Sequence, residues 1–181
     1  MEARKADSVI VFEDEASLSN MATVSYMWSE KGKQPKINQK QRKRERKTLF
    51  GCIEPETGIV VADKADKGNT ASFFSFLLLV TKAYPGRKVL MVLDNVPYHH
   101  AKRLKPILER YKHRMELLYL PPYSPDLNPI ERVWWYMRKK ITHNRYVQTL
   151  DERLKNFDRF IRDFQVENET GKNLAKLIVN I

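Results

Sequence analysis

The sequence predicts an α/β fold: a mixed five-stranded sheet, antiparallel among its early strands and parallel among its later ones, flanked by helices. Three observations lead there. Strand-like runs come first, from Ser8 to Ala62, with no helical pattern between them. A capped apolar helical segment then follows Asn69. Beyond it, strand, helix and strand alternate as far as Leu120, an order that requires right-handed crossovers and parallel pairing.

The elements follow in chain order. SVIVF, Ser8 to Phe12, is a short apolar run with β-branched members, as in a central strand buried on both faces. Alternation sets Ile10, Phe12 and Asp14 on one side. A second strand is expected around Ala22 to Trp28, a third over Thr48 to Ile53, and the turn signal PETG leads into the run IVVA. Asn69 or Thr70 caps ASFFSFLLLVTKAY, which Pro85 and Gly86 close. Val89 to Leu93 reads as a strand, Ala101 to Tyr111 as a helix with basic residues outward, and Met115 to Leu120 as a further strand. PPYSPDLNP cannot continue a strand, and Asn128 followed by Pro129 starts a helix to about Ile141 with an apolar stripe of Ile130, Val133, Trp134, Met137 and Ile141. Thr149 and Glu152 have capping-box spacing ahead of LKNFDRFIRDF. ENETGKNLAKLIVNI has room for a short final helix.

Composition narrows the function. The chain has 181 residues with 42% hydrophobic content, enough for one domain with a real core. Its 33 Lys and Arg against 22 Asp and Glu give a formal charge of +11, which favours a polyanionic partner. The single cysteine, Cys52, excludes an internal disulfide and reads as a small core residue in a reducing compartment. The start MEARKADSVI lacks a signal-peptide core, and FFSFLLLV falls short of the roughly 18 residues that span a bilayer. The expectation is a soluble intracellular protein, cytoplasmic and nucleoid-associated in a prokaryote, with no membrane partner.

Three carboxylates stand out by position. Asp14 follows VIVF, Asp94 ends VLMVL, and Glu131 lies in PPYSPDLNPIE. A carboxylate just past a buried strand sits where open α/β sheets gather ligands. Three of them converging suit hard divalent cations, and two ions about 3.5–4 Å apart can activate the attacking oxygen and stabilise the leaving oxygen of a phosphodiester. Each position also has a plainer reading. Asp14, between Glu13 and Glu15, fits a solvated acidic loop, and Glu15 is its rival because a one-residue shift exchanges faces. Asp94 fits a turn cap shared with Asn95. Glu131, third helical residue after an Asn128 cap, fits a capping box, and Asp126 nearby fits a turn.

Basic residues cluster between two expected strands: Lys31, Lys33, Lys36, Lys40, Arg42, Lys43, Arg44, Arg46 and Lys47, opposed by Glu45 alone within that run. Such a run is either a solvated surface or a DNA-contacting hairpin held by phosphates. Trp28 is either a stacking platform or a core residue. Arg132, Arg138, Lys139 and Lys140 form a second basic patch. His99 and His100 are adjacent, without the i,i+4 spacing of helical zinc ligands, which argues against zinc.

The segments FEDEAS (Phe12 to Ser17), WSEKGKQP (Trp28 to Pro35), VLDNVPYHHAK (Val92 to Lys102) and LPPYSPDLNPIERVWWYMRKKI (Leu120 to Ile141) together resemble the DDE transposases of the mariner superfamily. The resemblance is to the branch with a third glutamate that includes bacterial insertion-sequence relatives, and it covers most of residues 8 to 142. It implies a ribonuclease H-like fold, with which the order of elements agrees. It implies Asp14, Asp94 and Glu131 as the catalytic, metal-binding triad, with 36 residues between the last two. His99 matches the family's histidine after DN, either ancillary beside the phosphate or structural. The implied cofactor is Mg²⁺ or Mn²⁺, as two ions; the implied partners are double-stranded transposon ends and target DNA, engaged by a homodimer, with TA target sites. Helix-turn-helix domains precede the core in such relatives, whereas here the first strand is expected by Ser8, so a separate DNA-binding polypeptide is the expected source of end recognition. The alternatives are another ribonuclease H-like nuclease and a catalytically silent DNA-binding descendant.

Overall fold

In the computed structural model, which describes residues 8–36, 43–121 and 125–176, the first strand is far longer than its apolar run. β1 spans Ser8–Ser19, so Asp14 lies within the strand and not beyond it as the apolar pattern indicated. The reason is pairing. β4 (Lys88–Leu93) runs parallel to β1 only from Ser8 to Phe12, while β2 (Arg46–Ile53) runs antiparallel to it from Phe12 through Ser19. The β2 ladder keeps β1 extended after its sequence turns acidic.

β3 (Val60–Ala65) and β5 (Met115–Tyr119) complete a five-stranded sheet of order β3-β2-β1-β4-β5, antiparallel through β1 and parallel beyond it. The segment around Ala22 to Trp28 is not a strand. Only Thr23 forms a bridge, to His143, and Val24, Tyr26 and Trp28 are almost wholly exposed. With no neighbouring ladder and neither face covered, the alternation there has nothing to bury. Asn20 instead holds the two ends of this excursion together: its N–H donates to the Glu45 carbonyl, its Oδ1 accepts from the Glu45 N–H, and its side-chain amide donates to the Lys43 carbonyl at 3.1 Å.

Helices cover both faces. α1 (Thr70–Ala83) starts at an Asn69 capping box with Ser72 and ends before Pro85. It buries Phe73, Phe76 and Val80 against Val9, Val11, Phe50 and Met91. α2 (Lys105–Tyr111) begins four residues later than expected, because Pro97–His100 forms a 3-10 turn and Leu104 is buried at the turn before the helix. On the other face lie α3 (Ile130–Ile141), α4 (Leu150–Arg162) and the short α5 (Glu169–Ala175). The expected α3 stripe is buried throughout. At its centre Trp134 packs over Gly51 so closely that an added Cβ would lie 2.4 Å from the indole Cη2. Gly51 is the β2 residue opposite Asp14. The empty side-chain position beside Asp14 is therefore what lets α3 approach the sheet there. No helix among the described residues is long and apolar enough to cross a membrane.

Candidate active site

Asp14 sits half-buried in β1 at the point where β4 has already stopped pairing and β2 continues. Asp94 directly follows the last residue of β4. Its Oδ1 accepts from the Val96 N–H at 3.2 Å, and Asn95 donates to the Leu120 carbonyl at 2.6 Å, so the ends of β4 and β5 are tied around it. Asp94 does serve a turn, but its side chain remains about half exposed, at 48%.

Glu131 is the second residue of α3, and the capping-box reading does not hold. Pro129 occupies the cap position without a side-chain capping bond. Asn128 is buried and donates to the Glu13 carbonyl at 2.7 Å. That bond anchors the start of α3 to the peptide link just before Asp14. It positions Glu131, an exposed residue, over the same face.

The charges of these residues act on one another. Burial raises the Asp14 carboxyl to about 7, with Glu15, Glu131 and Asp94 adding to the rise against a backbone hydrogen bond that lowers it. Glu131 is also raised, first by burial, then by Asp126 and Asp94, with Arg138 opposing. Asp14, Asp94 and Glu131 thus form one electrostatic cluster, to which Asp126 belongs through Glu131. All donors are carboxylate oxygens, gathered at a cost in mutual repulsion; that donor set fits a hard divalent cation.

A pH dependence follows. Because the folded-state pKa of Asp14 is raised from 3.8 to about 7, the native state holds a proton that the unfolded chain releases, so this group makes stability fall as pH rises between those values. Without divalent metal at pH 8, Asp14→Asn is expected to be more stable than the wild type, by about 2–4 °C for each kcal/mol gained. At pH 4 the two should melt together. Calorimetry in chelator at both pH values checks this, and a wild type that gains stability from pH 4 to 8 relative to the variant contradicts it.

The other face of β1 carries Glu13 and Glu15. Glu15 is therefore no rival for Asp14 beside Glu131: strand alternation turns it toward the α1 side. There His99 is fully buried against Phe73, with its Nε2 3.2 Å from Glu15 Oε1 and 4.0 Å from Glu13 Oε2. His99 is thereby enclosed by protein, at 1% exposure, and does not present its ring at the surface. Glu13 is wholly buried, and its carboxyl is pushed well above the usual range, first by burial and then by Glu15, Asp14 and Asp94. It drew no attention in the sequence, where only the three-residue acidic run and period-2 alternation hint at it.

The basic residues divide. Lys31, Lys33, Lys36, Lys43, Arg44 and Arg46 are exposed, with Lys33 paired to Glu30; Lys40 and Arg42 lie outside the described residues. Lys47 is paired with Asp66. Trp28 is fully exposed, so it is not a core residue. Arg132 is not a free cation: it donates to the carbonyls of Leu174 and Lys176 at the C-terminus of α5. Arg138 acts on Glu131, and Lys139 lies over the exposed Trp135 ring at 5.1 Å. A cavity of about 650 Å³ opens elsewhere, between α3 and α4, lined by Tyr136, Lys140, Arg145 and Phe160; no member of the acidic cluster borders it.

A family profile described as DDE superfamily endonuclease matches residues 9–154, a span containing Asp14, Asp94 and Glu131. The insertion element IS630 39 kDa protein of Shigella sonnei is 24% identical over 157 residues, 86% of this chain and 45% of its own length. Two solved structures superpose on 96% of this chain: the Mos1 strand transfer complex (TM-score 0.68, 18% identity, 53% of that chain) and the Mos1 mariner paired-end complex with Mn (TM-score 0.68, 16% identity, 54% of that chain). At these identities the likeness is one of fold, and it is the ribonuclease H-like fold expected from the order of elements. The chain spans about half the length of each of these three proteins.

Proposed function

We propose, on the premise that this chain belongs to the DDE superfamily endonuclease family, that it is the catalytic domain of a mariner-type transposase that cuts transposon ends and joins them to target DNA. One observation carries the reading: three distant stretches of chain meet where β4 ends, so that Glu131 and Asp94 add to the rise of the Asp14 carboxyl and Asp94 adds to that of Glu131.

In this reading the three carboxylates hold divalent metal, Mg²⁺ or Mn²⁺, as two ions; the fold relative with Mn is consistent with that choice. When bound, the metal supplies Lewis-acid activation of the attacking oxygen and charge stabilisation at the leaving oxygen. The protein's own part is to position. Asp14 on β1 and Asp94 just past the end of the neighbouring β4 supply two of the ligands, and the Asn128 bond to the Glu13 carbonyl anchors the start of α3, which carries Glu131 as the third. In the first step the oxygen of water bonds to phosphorus as the O3′ bond breaks on the other side; in the second, a 3′-hydroxyl takes the place of water. No side chain becomes covalently attached.

DNA is held by the exposed basic segment around Lys31 to Arg46 and by Arg138 and Lys139, with Trp28 available to stack on a base. A homodimer on paired ends is the proposed assembly, with a separate DNA-binding polypeptide supplying end recognition. Lys43→Ala with Arg44→Ala should weaken binding evenly across DNA sequences and reduce the slope of log affinity against log salt by about 2. Fluorescence anisotropy over a salt series reads this; an unchanged slope removes these residues from the interface.

The function itself is tested by incubating the chain and Mn²⁺ with duplexes bearing transposon ends and with RNA–DNA hybrids. Nicking at the transposon ends is expected. Cutting confined to hybrids, or chelator-resistant binding without cutting under any metal, contradicts the proposal.

A further inference from the structure

The geometry points to a second metal centre on the opposite face of the sheet from Asp14, in which Glu13, Glu15 and His99 bind a first-row transition ion, Zn²⁺ in the first instance. It shares no ligand with the catalytic reading and meets it only where His99 Nδ1 lies against Asp94, 3.5 Å from Oδ1.

One ligand atom from each of Glu13, Glu15 and His99 lies within 4.8 Å of the other two. His99 Nε2 is 3.2 Å from Glu15 Oε1 and 4.0 Å from Glu13 Oε2. Ligands about 2.0–2.1 Å from a tetrahedral ion stand roughly 3.3–3.4 Å apart, so a small inward adjustment of Glu13 completes a three-ligand set.

Glu13 supplies the independent sign that something belongs there. It is 0% exposed, and neither carboxylate oxygen has a hydrogen-bond partner among the described residues. A buried unpartnered carboxylate is costly unless a proton or a cation compensates it. The surroundings suit a cation. His99 Nδ1 lies 3.2 Å from the Asp94 carbonyl oxygen, so an Nδ1–H can donate there and leave the Nε2 lone pair facing both glutamates. The Tyr98 hydroxyl donates to Glu15 Oε1 and orients that carboxylate. An imidazole with two carboxylates selects zinc and its first-row neighbours over Mg²⁺, which prefers oxygen and water.

Adjacency of His99 and His100 argued against zinc in the sequence because the partners lie 84 and more residues away, on β1. An ion here would tie β1 to the turn after β4, behind the backbones that carry Asp14 and Asp94.

Metal analysis tests it. The full chain and Glu131→Gln, each loaded with Zn²⁺ and dialysed against metal-free buffer, should both retain about one zinc per chain, while Glu13→Gln retains at least about tenfold less with an unchanged circular dichroism spectrum. Zinc stripped from the wild type, or kept in full by folded Glu13→Gln, overturns the site and leaves a proton on Glu13 as its compensation. Should Glu13→Gln fail to fold, Co²⁺ added to the wild type decides: visible d–d bands displaced by Zn²⁺ support the site, and featureless spectra overturn it. The readout is stoichiometry, so loss of DNA cleavage in Glu131→Gln has no bearing on it.

Discussion

Asp94→Asn is expected to lower Mn²⁺-dependent cleavage of transposon-end DNA by about 10³-fold or more without unfolding the chain. The substitution is nearly isosteric. An asparagine carbonyl can still accept from the Val96 N–H, and the Asn95 tie to the Leu120 carbonyl is untouched. What disappears is one negative charge that raises the carboxyls of both Asp14 and Glu131. Asp126→Asn is the informative control. Asp126 lies in the 3-10 turn Pro125–Leu127 and influences Glu131, yet it is not assigned a metal. Its loss should cost less than about tenfold, because removing a like charge that holds no metal only eases the repulsion on Glu131. Equal losses in the two variants would transfer the metal-ligand assignment toward Asp126, and undiminished cutting by Asp94→Asn would end it for Asp94.

Gly51→Ala is expected to impair both stability and activity, although it adds one methyl group far along the chain from Asp14, Asp94 and Glu131. The new Cβ would stand 2.4 Å and 2.6 Å from two carbons of the Trp134 ring, a rigid side chain buried to 1% exposure. Overpacking of this kind costs about 1–3 kcal/mol, or about 2–4 °C in Tm per kcal/mol for a domain of this size. Relief requires α3 to lift from β2. Trp134 is one helical turn beyond Glu131, so the lift carries Glu131 away from Asp14, and a displacement of about 1 Å can cost on the order of 10²-fold in rate. A smaller ring should compensate. The double variant Gly51→Ala with Trp134→Phe is expected to be more stable than the sum of the single effects, as contacting residues in a double-mutant cycle are. Strict additivity would mean that the two residues do not share the space.

Much of the fold was readable because period and punctuation agreed. Asn69, Pro85 and Gly86 bound α1 with a capping residue and two breakers, and the stripe from Ile130 to Ile141 marked the buried face of α3. Where local pattern and tertiary pairing diverge, the sequence misleads. Ala22 to Trp28 has strand-like residues but no neighbour to pair with, whereas Glu13 to Ser19 has the composition of a loop and is held extended by β2. Asp14, Asp94 and Glu131 were legible as positions through the motifs around them. Their support was not. Asn128 resembles an ordinary helix cap, and besides accepting from the Ile130 N–H at 3.4 Å it bonds across 115 residues to the Glu13 carbonyl, and nothing near Gly51 in sequence announces that a tryptophan of α3 needs its vacant side-chain position. The surroundings of His99 and Arg132 were hidden for the same reason: charge and motif do not reveal that one is enclosed by α1 and the other donates to carbonyls at the end of α5.

A crystal of the chain grown with Mn²⁺, read by anomalous scattering at the manganese edge, tests the central claim most directly. Manganese peaks coordinated jointly by carboxylate oxygens of Asp14, Asp94 and Glu131 are the expected result. Manganese absent from among those three side chains while Glu131 turns to solvent would contradict it.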